Sequence, residues 1–96
     1  MRVVASDEAS AFVLEHGGRL WVRLRSTRCC RSLLTYLDAS TDAPSGTFRR
    51  VAGADGGFDV YMQEDLPRLP TELHVTLSHF PRRSVQAFWN GCAWVE

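Results

Sequence analysis

Strict alternation constrains this chain more than any other feature. Leu73, Val75, Leu77 and His79 alternate with His74, Thr76 and Ser78, and the pattern resumes after Phe80-Pro81-Arg82-Arg83 as Val85, Ala87 and Trp89. Side chains of period two line one face of a strand, so two such runs joined by a Pro-containing turn fold into an antiparallel hairpin with one face buried. Leu20, Val22 and Leu24 repeat the pattern against Trp21, Arg23 and Arg25, and Phe58, Val60 and Met62 do so after the turn at Gly53-Ala54-Asp55-Gly56-Gly57. Further strands are expected at Leu33–Leu37 and Thr47–Val51, with loops over Ser26–Ser32 and Asp38–Gly46. Asn90-Gly91 tolerates the positive φ of a turn before the tail Cys92–Glu96.

One segment has a helical period instead. Ala9, Phe12, Val13 and His16 follow the i, i+3, i+4, i+7 spacing. Ser6 is placed to cap the first turn, Asp7 and Glu8 suit the positive end of the helix dipole, and Gly17-Gly18 ends it. The expected fold class is therefore α+β and mostly β, with a short N-terminal helix and a mixed or antiparallel sheet. With 96 residues and neither an internal repeat nor a low-complexity tract, residues 1–96 are read as a single domain.

Charge removes several function classes. Lys+Arg 11 against Asp+Glu 11 gives a net charge of zero, which argues against a protein whose affinity for nucleic acid or a membrane surface comes from bulk charge. The distribution is uneven, however: Arg19–Arg31 holds five Arg and no acid, while Asp38–Glu72 holds seven acids and three Arg. Trp21, Arg23 and Arg25 share a strand face and form a candidate partner surface, and a contact between the basic strand and the acidic middle of a second copy would cover strand edges. No apolar run approaches the roughly 20 residues a bilayer requires, and Asp7-Glu8 interrupts any leader-like segment, so a cytoplasmic location is expected. There is no nucleophile elbow, His-Glu-x-x-His or phosphate-binding Gly-rich loop, and the chain is read as non-enzymatic. His16 suits a helix C-terminus, and His74 and His79 fall on opposite strand faces.

The three cysteines carry the chemical interest. Cys29 and Cys30 are flanked by Arg28 and Arg31, and positive neighbours favour the thiolate. Cys92 follows Gly91, which permits close backbone approach. An odd number of cysteines favours free thiols or metal ligands over a disulfide framework. The competing structural reading makes Cys29 and Cys30 small half-buried residues and Cys92 a core residue, and a thiol redox sensor needs the same residues.

The order of short helix, Gly18-Arg19-Leu20-Trp21-Val22 strand, cysteine loop, Leu34-Thr35-Tyr36-Leu37 strand, hairpin and Asn90-Gly91-Cys92 tail resembles the HesB/IscA-like A-type iron–sulfur carrier proteins along nearly the whole chain. The resemblance implies a HesB-like domain, a homodimer, iron–sulfur donor or acceptor proteins as partners, and thiolate binding of iron or a [2Fe-2S] cluster. Cys29 or Cys30 then matches the family's loop cysteine and Cys92 one of its two tail cysteines. This chain has one tail cysteine and no glycine in the cysteine loop. Two thiolates from each of two subunits would restore the four sulfurs a cluster prefers. A protein-interaction module on the same fold, without metal, is the alternative expectation.

Overall fold

The computed structural model describes residues 2–29, 32–53, 57–66, 68–79, 82–92 and 95. The chain runs through strand β1 (Arg2–Ala5), helix α1 (Asp7–Glu15), β2 (Arg19–Cys29), β3 (Ser32–Ser40), β4 (Phe48–Gly53), β5 (Asp59–Gln63), β6 (Glu72–Ser78) and β7 (Ser84–Trp89). The expected α+β, mostly β class is observed, built as two sheets. One has the order β1-β6-β7 and the other β3-β2-β5-β4. Each mixes parallel and antiparallel pairs: β6 is parallel to β1 and antiparallel to β7, and β2 is parallel to β5 and antiparallel to β3.

The alternating faces meet in one core. Leu20, Val22, Phe58, Val60, Met62, Leu73, Val75, Val85, Ala87 and Trp89 are buried, and Leu24 and Leu77 pack half-buried at its margin. No polar or charged side chain among the described residues is buried. Helix α1 contributes Ala9 and Val13 to the same cluster. Ser6 caps it by accepting from the Ala9 N–H at 3.2 Å, and the Gly18 N–H closes its other end on the Val13 carbonyl at 2.9 Å. That closure needs positive φ, which Gly17 and Gly18 supply at 112° and 75°. His16 is the C-cap; its Nδ1 lies 2.7 Å from the Phe12 carbonyl and its ring stacks on Phe12 with centroids 4.1 Å apart.

One strand joins those expected from the sequence, and one expected loop is corrected. Residues Arg2–Ala5 form β1, an edge strand whose Val3 is buried against β6; four residues carry too short an alternation to announce themselves. Ser26–Arg28 are strand and not loop, because β2 and β3 continue as a paired ribbon to Cys29 opposite Ser32. The alternation fades there because the ribbon has left the core: the side chains from Arg25 to Arg28 are exposed and impose no apolar requirement. The expected hairpin of β6 and β7 is present, its register running from Leu73 opposite Trp89 to Ser78 opposite Ser84; Phe80 and Pro81 lie outside the described residues. Among the described residues no helix is long and apolar enough to cross a membrane.

Candidate functional site

β2 and β3 place Cys29. Cys29 is the last residue of β2, paired with Ser32 at the start of β3. Cys30 and Arg31 lie outside the described residues. Arg28 is exposed one pair earlier, opposite Leu33, a large apolar side chain that is 67% exposed.

Cys92 is placed by a tight turn. Asn90 and Gly91 both have positive φ, 50° and 82°, the combination a two-residue hairpin of the I′ kind requires. The turn is closed by Trp89 N–H to the Cys92 carbonyl at 3.0 Å and Cys92 N–H to the Trp89 carbonyl at 2.8 Å. Asn90 anchors it to β6, with its Oδ1 accepting from the Glu72 N–H at 2.8 Å and its own N–H donating to the Glu72 carbonyl at 2.8 Å. A Cβ at position 91 would lie 3.7 Å from the His74 ring, ordinary contact, so the demand for glycine there comes from the backbone angle. The Cys92 thiol is free and exposed, which overturns the reading of Cys92 as a core residue.

Three residues beyond Cys92, Val95 N–H donates to the Thr35 carbonyl at 2.8 Å, on β3, the strand that starts at Ser32. No group of three or more His, Cys, Asp or Glu side chains among the described residues is arranged to hold a metal ion.

The Trp21, Arg23 and Arg25 face exists as one face of β2, but its charge is answered locally. Asp38 of β3 takes both guanidiniums, Arg25 at 2.7 Å and Arg23 at 3.4 Å. Trp21 stacks on Tyr61 of β5 with centroids 5.6 Å apart. Asp38 went unrecognised in the sequence because it was assigned to a loop; extending β3 by three residues places it opposite Arg23. Gln63 was missed as well. Its Oε1 accepts from the Leu24 N–H at 2.7 Å, substituting for the backbone partner that β2 loses after Val22 pairs with Met62. Above this face a cleft of about 480 Å³ is bordered by Arg23, Phe48, Gln63, Glu64 and Asp65.

No protein-family model matches the chain, and comparison with curated proteins and with solved structures finds no match.

Proposed function

We propose that the chain is a non-enzymatic carrier that holds iron or an iron–sulfur cluster as cargo on cysteine thiolates. Cys30 and Cys92 are the ligands of this reading, Cys29 is an auxiliary one, and Arg28 and Arg31 offset the negative charge the thiolates bring. One observation carries it: the exposed Cys92 sits on a tail that is hydrogen-bonded through Val95 to β3, the strand that starts at the cysteine turn. Soft thiolates suit iron and its clusters, and an exposed ligand suits cargo that must be handed on.

A single chain offers three thiolates at most, one fewer than a cluster takes. The remaining position falls to a second copy, a recipient protein or a low-molecular-weight thiol, and a position that is easily exchanged is useful to a carrier. The partners of this reading are iron–sulfur donor and acceptor proteins.

The test is the visible spectrum, iron content and acid-labile sulfide content of protein purified without oxygen, beside Cys30→Ser and Cys92→Ser. A brown protein bleached by either substitution is the expected result. Iron content unchanged across Cys29→Ser, Cys30→Ser and Cys92→Ser would sink the proposal and leave a metal-free interaction module.

A further inference from the structure

β2 is flanked on both sides only as far as Val22. Beyond it one edge pairs with no strand among the described residues, and the ladder fixes which backbone groups face outward. Successive residues of an antiparallel strand send their N–H and C=O groups to opposite sides. Leu24 directs its N–H to Gln63 on the β5 side, and Thr35, opposite Ser26, directs its carbonyl to Val95 on the far side of β3. Both bonds give the same parity: Leu24, Ser26 and Arg28 face the open edge, while Arg25, Thr27 and Cys29 face β3. Among the described residues nothing bonds to the backbone of Ser26 or Arg28 from that side.

A two-stranded ribbon projecting into water is marginal by itself, and an open edge invites another strand. We propose that this edge pairs with the same edge of a second copy of the chain, antiparallel, about a two-fold axis passing Thr27. That register sets Ser26 opposite Arg28 of the other copy, and Arg28 opposite its Ser26, so every outward backbone group meets an outward partner. Centring on Arg28 would oppose two guanidiniums directly, which is unfavourable. Centring on Ser26 would oppose Arg28 to Leu24, whose N–H Gln63 already holds.

Charge points to the same occupant. Arg28 is exposed and makes no ion pair among the described residues. The turn Glu64-Asp65 that follows β5 stands beside the open edge, and both acids are exposed and equally without an ion pair among the described residues. An antiparallel partner brings the end of its own ribbon, with Arg28, back toward that turn. The surface is self-complementary, as a two-fold contact requires.

The dimer does not depend on cargo. It holds the two Cys29 positions roughly 14 Å apart along the strands, at about 3.4 Å per residue.

The experiment is run on the full chain with chelator and reductant present, so that its outcome is independent of metal. Light scattering over a range of concentrations is expected to give a monomer–dimer equilibrium that Ser26→Pro, lacking the edge N–H, shifts to monomer. In a background of Cys29→Ser, Cys30→Ser and Cys92→Ser, freed of reductant, Thr27→Cys should form a covalent dimer under mild oxidation many-fold faster than Thr35→Cys. Amide exchange in the unmodified chain, which needs no variant to fold, should show Ser26 and Arg28 slowing on concentration while Thr27 does not change. A monomer at every concentration, a dimer indifferent to Ser26→Pro, equal cross-linking at positions 27 and 35, or no change at the Ser26 and Arg28 amides would each overturn the proposal. Any of these could occur with iron content intact, and iron could be absent with the dimer intact, so the two proposals fail separately.

Discussion

Asp38 shows how one side chain sets the character of a surface. It pairs with Arg23 and Arg25 together, so a face that carries two positive charges in the sequence has half of that charge answered in the fold. Both arginines and the aspartate are a third or more exposed or close to it, and ion pairs of that kind contribute about 1 kcal/mol or less. Asp38→Ala should therefore leave the melting temperature almost unchanged while delaying elution from a cation-exchange column; unchanged elution would show that the two guanidiniums are compensated elsewhere. Ser6 works differently, since it satisfies a backbone donor that the helix leaves orphaned. Ser6→Ala should cost about 1 kcal/mol, which for a domain of this size lowers the melting temperature by about 4–8 °C, measurable by circular dichroism.

At the level of elements, what was legible depended on burial. The strands around Leu20, Val60, Leu73 and Ala87 could be read from alternation because one face of each is pressed into the core, and α1 could be read because its cap and its terminating glycines are local chemistry. The outer half of the β2–β3 ribbon was not legible, since solvent on both faces removes the pattern that marks a strand. The four residues of β1 were too few, and their parallel pairing depends on β6, far along the chain. The cysteine site divided in the same way: the Asn90-Gly91 turn announces itself by residue type, whereas the tie from Val95 to Thr35 is a backbone bond that no side chain encodes. The contrast between core and ribbon gives a stability prediction. Leu73→Ala, at a fully buried position, should lose about 2–5 kcal/mol, and Leu33→Ala, 67% exposed, should lose about 0.5 kcal/mol or less. Chemical denaturation of the two variants would check both, and a large loss at Leu33 would mean that its side chain is covered in solution.

For the molecule as a whole, the two sheets and the helix close over a core made of apolar side chains alone among the described residues. Folding therefore rests on burial and strand pairing. On the carrier reading proposed above, stripping the cargo with a chelator should leave far-ultraviolet circular dichroism unchanged and shift the thermal midpoint only by the binding term, which is about 2.7 kcal/mol when the free ligand stands at a hundred times its dissociation constant. Loss of cooperative unfolding in the stripped protein would instead assign the metal a structural role.

The pairing of Arg2 with Glu72 and of Ala5 with Val75 has a consequence for biosynthesis. β1 has no partner until the chain as far as β6 has been made, and contacts so distant in sequence form slowly because the intervening chain must first be closed into a loop. β6 is the central strand of its sheet, so until β1 docks, one of its edges is open to any other extended chain. The docking of β1 is thus what seals the three-stranded sheet against pairing with a stranger.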